Sequence, residues 1–531
     1  MYLILLLSIS FCQNFLYKSD DWYTISNPGS INSITSSHNQ IYFCSENGIY
    51  IYDISTSSLV SDEKYLTDFD ASKPILIHYD EYTDYIWYLN EKSLNYRPRI
   101  SSFWRQIYFH ELNISSYRMI NNIGSNHENL FLDIGHSILM LDSISGSLEL
   151  EDDNFDYNSI NWSSSLKSNL HETIDLSNYF SFDGYNIISN DRIEYNGKII
   201  YINCIYKDKY HDYWLGTNTG EIFYCNSKMN SIEKLHSIPL ISDIQVAYID
   251  EYEQWWFSTN DDIYINQNIV SSYPIFISHW DELDNIWTNY TKSEYSNIES
   301  RDITCIKRVD NWLYIGTKKG LLIFNIYENE WILFDQNNGI KSNYIYDINF
   351  VNNNIYIATS KGISVLTTLG NIIINLDIFD IFNGASIFKL NLIDDKILIS
   401  SEIGIYEYDY KKNIIDYKVN EKYLSAFYDE NNNIIAARRN KLYLLSHKKK
   451  LLVNLDKIKN ICLCNDHIWI NNLNKAIILN LEDENIFEYN YEDGIIGSII
   501  NDIGCDDNWV WFATNKGLSI YNWSKYHFNE K

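Results

Sequence analysis

Histidine and cysteine are the residues whose spacing most often betrays chemistry, and here neither forms a ligand pattern. The 12 His are scattered, with no HExxH, HxH or CxxC arrangement, which disfavours a zinc enzyme. Of the 8 Cys, Cys12 lies in an apolar N-terminal run. Cys44, Cys204, Cys225, Cys305, Cys462, Cys464 and Cys505 are odd in number and cannot all pair. Most sit in strand-like runs (IYFCSENG, DITCIKRV, NICLCND, NDIGCDD), where a buried free thiol acts as a small hydrophobe. Cys462 and Cys464 would point the same way on a strand but lack zinc-knuckle spacing. Neither a disulfide framework nor a metal site is expected.

Nucleophile and phosphate motifs are absent as well: there is no GxSxG, P-loop or dinucleotide fingerprint. The acidic run EDDNFD from Glu151 lacks the ligand order and glycine of a calcium loop and reads as a loop. Paired carboxylates for glycoside cleavage would leave no local motif if they came from different repeats, and 70 Asp and Glu single out no pair. Trp255 and Trp256 with Tyr252 suit stacking on a sugar ring, but core packing is the stronger reading. Lys448, Lys449 and Lys450 read as a solvated turn. Arg438 and Arg439 would point oppositely on a strand, so one of them can face a channel and bind an anion; a surface ion pair is the preferred reading. The expectation is a chain with no catalytic, cofactor-binding or metal residues, and the sequence does not identify its ligand-binding residues.

The elements that position these side chains are strands. Of 531 residues, 45% are hydrophobic and 16% aromatic, including 45 Tyr and 15 Trp, with only 5 Pro. That balance suits pleated, half-buried surfaces. The net charge of −29 opposes binding to nucleic acid or anionic lipid. MYLILLLSISFC has the length of a signal-peptide core and is too short to span a bilayer. Residues 1–12 are therefore expected to be removed on export, with cleavage before Gln13. Lipidation of Cys12 is the alternative, although Phe11 stands where a small residue is needed.

The strands repeat. The clearest copies are YWLGTNTGEIFYCN from Tyr213, LYIGTKKGLLIFNI from Leu313, IYIATSKGISVLTT from Ile355 and VWFATNKGLSIYNW from Val510, with seven weaker ones. Their spacing is near 42 residues, within the range of four-stranded propeller blades. One interval of 83 suggests a degenerate copy near Leu170 to Phe182, and one of 58 suggests an insertion between Tyr273 and Ser300. Gly48, Gly220, Gly320, Gly362, Gly404 and Gly517 fall between two strands, where a positive φ costs glycine nothing. Further strands lie upstream (INSITSS, DITCIKR, IYDINFV, INDIGCD) and downstream (WILFDQN, FEYNYED) of the copies. Single repeats cannot cover both their faces, so stacking in a ring must do it.

The pattern of an aromatic, a hydrophobic residue, Gly or Ala, then T-x-x-G resembles the two-component-regulator propeller repeat. That repeat builds the exported sensor parts of hybrid histidine kinases and the double propellers associated with type IX secretion. Ser93, Ser137, Asp262, Lys441 and Lys475 depart from it at the glycine position. No kinase, membrane helix or further β-sandwich follows the last repeat before Lys531, so the propeller portion alone is expected.

The expected fold is all-β: tandem β-propellers of about twelve four-stranded blades in two rings of six to seven. The first would occupy 20–280 and the second 281–531, dividing near Ser278 to Thr288, with DWYTIS able to close a ring with late blades. The resemblance implies an exported, non-catalytic binding or scaffold protein, periplasmic or extracellular, that engages a protein or glycan of the cell envelope. The alternatives are a sensing subunit for a separate kinase and an extracytoplasmic carbohydrate-active enzyme.

Overall fold

A computed structural model describes residues 21–60, 74–99, 104–151, 159–165, 175–181, 184–195, 198–235, 241, 243–259, 262–265, 268–272, 275–283, 286–291, 298–368, 372–374 and 376–527. The expectations for residues 1–12, including cleavage and Cys12, lie outside them, as does most of EDDNFD. Among the described residues no helix is long and apolar enough to cross a membrane.

The chain folds as tandem β-propeller blades. Eleven antiparallel blade sheets stand among the described residues: blade 1 (31–60), blade 2 (76–108), blade 3 (122–151), blade 4 (198–234), blade 5 (246–291), blade 6 (303–334), blade 7 (345–374), blade 8 (387–419), blade 9 (425–454), blade 10 (460–489) and blade 11 (500–522). Blade 11 takes its fourth strand from the other end of the chain: Trp22–Ile25 pairs antiparallel with Gly517–Asn522, Trp22 opposite Tyr521.

The repeat motif has a mechanical reason. The hydroxyl of Thr317 donates to the carbonyl of Gly320 at 2.7 Å, and Thr359 and Thr514 do the same to Gly362 and Gly517 at 2.7 and 2.8 Å. Each Thr thereby clamps its hairpin. The glycine then has φ of 138° in blade 6 and 143° in blade 11, and the fourth strand presses on it. A Cβ on Gly320 would lie 2.7 Å from the Phe334 carbonyl oxygen, and one on Gly517 2.2 Å from that of Ile25. Where the glycine is Ser93 or Lys475, the turn is held by Asn90 or Asn472, whose side-chain oxygen accepts both N–H groups of the turn. Third strands such as Gly320–Asn325 are buried at every position, because a neighbouring blade covers each face. Each fully buried Leu or Ile there contributes roughly 1.5–3 kcal/mol.

Two details depart from expectation. The insertion in blade 5 is the hairpin Asp262–Ile265 and Asn268–Ser272, inside the blade between its second and third strands, not between 273 and 300. Spacing between anchors gives the size of an insertion but not its place. The degenerate copy expected near 170–182 lies partly outside the described residues. The described part joins blade 4: Phe180–Ser181 runs parallel to Ser231–Lys234, and a hairpin at 186–195 extends the inner strand Lys198–Lys207.

The inner strands define the grouping of blades. Those of blades 5 to 9 touch in succession, that of blade 10 touches blade 11, and that of blade 11 touches blade 5. Blades 9 and 10 share the apolar cluster of Ala437, Leu442, Ile461 and Ile470. The position 280/281 falls within the strand Ile275–Asp281 of blade 5, whose inner strand contacts blades 6 and 11. Blade 5 therefore stands with the later blades. The inner strands of blades 4, 1, 2 and 3 touch in that order.

Candidate functional site

The two groups differ at their centres. In blades 1–4 a segment of chain fills the middle: Trp162 and Asn161 pair with the inner strand of blade 3, and Ser164 and Ser165 with that of blade 1. His78, 1% exposed, holds it in place through Ser163 and Ser125, at 2.8 Å from each ring nitrogen. Burial pushes this imidazole down to about 3, so it is neutral.

The inner strands of blades 6, 7, 8 and 11 carry charged side chains instead. Blades 6, 7, 8 and 11 each carry a β-bulge one residue into the inner strand, after Ile303, Ile345, Ile387 and Ile500. A bulge re-aims the side chains that follow it. Cys305, Asp347, Lys389 and Asp502 consequently take equivalent register positions opposite the second strand, while Tyr346 and Phe388 stand at the bulges, 5.4 Å apart edge to face. Tyr344 packs 4.7 Å from Tyr346, and the Lys422 ammonium lies 4.9 Å above Phe388.

The carboxylates are already bonded. Asp347 accepts from the Leu390 N–H at 2.9 Å and pairs with Lys389 at 3.2 Å. Asp502 accepts from the Ile503 N–H at 2.9 Å and the Asn460 amide at 2.7 Å. The bonds of Asp347 to Leu390 and Lys389 and of Asn460 to Asp502, with those from the Asn349 and Asn391 amides to the Leu390 and Ala426 carbonyls, stitch neighbouring inner strands together. Burial outweighs the bonding groups at Asp502 and raises its carboxyl above the usual range.

The three lysines are unequally served. At Lys389 burial opposes the charge, but Asp347 outweighs it and holds the ammonium above its ordinary value; the side chain is 40% exposed. Lys459 donates to Asn501 at 2.9 Å and is lowered by burial. Lys307 lies 4.9 Å over the Tyr248 ring, and burial, with Lys389 adding repulsion, lowers it. The carboxylate that acts on Lys307, Asp347, is paired with Lys389, whereas those acting on Lys459 are Asp502 and Asp243.

The residues singled out by sequence lie elsewhere. Trp255 and Trp256 are 5% and 1% exposed, and Trp256 donates to Asp250 at 2.8 Å. Arg308 bridges blade 6 to that carboxylate at 2.6 Å and covers Tyr252 at 4.7 Å, so this cluster is packing between blades. Arg438 pairs with Glu421, the surface ion pair preferred above. Lys449 and Lys450 lie not in a turn but at the start of the strand Lys449–Asn454, paired with Glu421 and Glu484, because that outer strand begins directly after the short connection. The channel group was missed because each blade supplies one member. Its only trace is the Ile-x-charged start of strands such as IYD and IND.

The cysteines bring one correction. Cys44, Cys204, Cys225 and Cys305 are free and buried as expected, but Cys464 and Cys505 form a disulfide with Cα atoms 6.2 Å apart. The partners come from adjacent blades 41 residues apart, a juxtaposition that local spacing does not reveal.

No protein-family model matches the chain, and no curated protein does. Among solved structures, the chain is similar to the extracellular domain of BT4673 of B. thetaiotaomicron, described as a hybrid two-component system: 13% identity, TM-score 0.41, covering 93% of this chain and 70% of that one. The corresponding domain of BT3049 from the same organism gives 12% and 0.33, covering 94% and 82%. Virginiamycin B lyase from Staphylococcus aureus gives 13% and 0.40, covering 53% and 94%. At these scores no function passes from those proteins to this chain.

Proposed function

We propose that the chain is an exported, non-catalytic binding propeller, and that the channel of blades 5–11 receives a carboxylate carried by an envelope glycan or protein. The supporting observation is the concentration of Lys307, Lys389 and Lys459 around one channel in a chain of net charge −29. Burial still leaves the Lys307 ammonium disfavoured although Asp347 offsets part of it, and Asp347 is itself paired with Lys389, so an anionic ligand would relieve the charge. The aromatic edge of Tyr344, Tyr346 and Phe388 at the bulges suits the apolar face of a sugar ring. Asp347 and Asp502 are occupied by backbone N–H groups of the inner strands, which favours a clamping role for them over proton transfer. In the same reading blades 5–11 with Trp22–Ile25 form one ring of seven, and the division from blades 1–4 lies in 235–245.

The test is an array of neutral, amino and uronic-acid glycans, read for both retention and cleavage. Retention of uronic-acid glycans without products is expected. Product formation would overturn the non-catalytic reading, and retention of neutral glycans alone would overturn the carboxylate.

A further inference from the structure

We propose that Cys462, Cys464 and Cys505 form a thiol–disulfide exchange site at the seam of blades 10 and 11, in which Cys505 is shared between two alternative pairings. The sequence places Cys462 and Cys464 two residues apart on the inner strand Asn460–Cys464, and a strand sends both side chains to the same face. Cys505 ends the neighbouring inner strand, Ile500–Cys505, and meets them there. The three sulfur atoms lie within 4.8 Å of one another. Cys464 and Cys505 are bonded, and the free Cys462 sulfur stands 3.1 Å from that of Cys505. That separation is within the roughly 3–3.5 Å of a near-attack arrangement.

The exchange needs no outside oxidant or reductant. The Cys462 thiol loses its proton, and the thiolate attacks the Cys505 sulfur. A Cys462–Cys505 bond forms as the Cys464–Cys505 bond breaks, and Cys464 leaves as a thiolate and takes up a proton. The two pairings differ in what they expose. Cys464 is 7% exposed inside a cluster with Trp22, Trp469 and Phe512, whereas Cys462 is half-buried and packs against the rim of that cluster, on the side of Asp502 and Lys389. The first pairing thus leaves a thiol at that rim, and the second withdraws the thiol into the core, where it behaves as a small hydrophobe. Burial, with the Asp502 carboxylate adding to it against the Lys389 ammonium, raises the Cys462 thiol well above its ordinary value. Exchange is therefore slow at neutral pH and accelerates as pH rises.

The experiment maps pairings in the purified full chain, oxidised and without added thiol. Samples incubated at pH 7 and pH 9 are acid-quenched, alkylated, digested without reduction and read by mass spectrometry. The Cys462–Cys505 peptide is expected to appear beside Cys464–Cys505, faster at pH 9, with alkylated Cys464 rising in step. A fixed Cys464–Cys505 link after prolonged incubation at pH 9 would overturn the proposal. In parallel, Cys464→Ser is expected to give a Cys462–Cys505 link under oxidising conditions. If both cysteines stay free in a folded variant, the proposal fails.

Discussion

Replacing Trp22 by Ala tests whether the first described strand belongs to the last blade. Trp22 is 1% exposed, stacks on Tyr521 at 4.6 Å and Phe512 at 5.9 Å, and meets Tyr489 edge-on at 6.1 Å. A buried indole removes about 150–250 Å² from water, which at about 25 cal/mol per Å² amounts to ~4–6 kcal/mol as an upper bound. Large-to-small substitutions of buried aromatics cost about 3–5 kcal/mol, and the two figures agree. The expected loss is therefore about 3–5 kcal/mol, read by urea unfolding. Hydrogen exchange locates it. Residue 22 is near blade 1 in sequence but belongs to blade 11 in space, so protection should fall in 476–489 and 500–522 while blades 1–4 keep theirs. A loss below about 1 kcal/mol, or one confined to blades 1–4, would refute the closure.

Other expectations follow from single contacts. Gly517→Ala sets a Cβ 2.2 Å from the Ile25 carbonyl oxygen and should destabilise the same blade by more than about 1 kcal/mol in urea. Arg308→Met takes the countercharge from Asp250, whose side chain is fully buried and keeps only the Trp256 and backbone N–H donors, and should cost about 3 kcal/mol, much of it recovered by adding Asp250→Asn. His78 is neutral in the fold, its value lowered from 6.5 to about 3. The unfolded chain thus binds a proton that the fold refuses, and stability present above pH 6.5 is lost progressively as pH falls toward 3. Denaturant melts across that range should show a shallower fall for His78→Asn, provided the variant folds.

The architecture was legible because its signal is local and repeated: T-x-x-G encodes a hydroxyl clamp and a glycine under the next strand's carbonyl, as at Thr317 and Gly320. The channel was not, because Asp347, Lys389 and Asp502 come from three blades, each re-aimed by a bulge that composition does not record. The disulfide escaped notice for the same reason: Cys464 and Cys505 meet only when blades 10 and 11 pack. Trp255 and Trp256 looked like a sugar platform because indole serves cores and ligands alike, and only burial separates the two.

The most direct test of the channel reading is calorimetric titration of the full chain with a uronic-acid oligosaccharide, comparing Lys307→Met with Lys450→Met, a surface lysine paired with Glu484. Saturable binding that Lys307→Met weakens at least tenfold, and Lys450→Met leaves unchanged, is the result this account expects. Equal binding by both variants and the parent chain would contradict it.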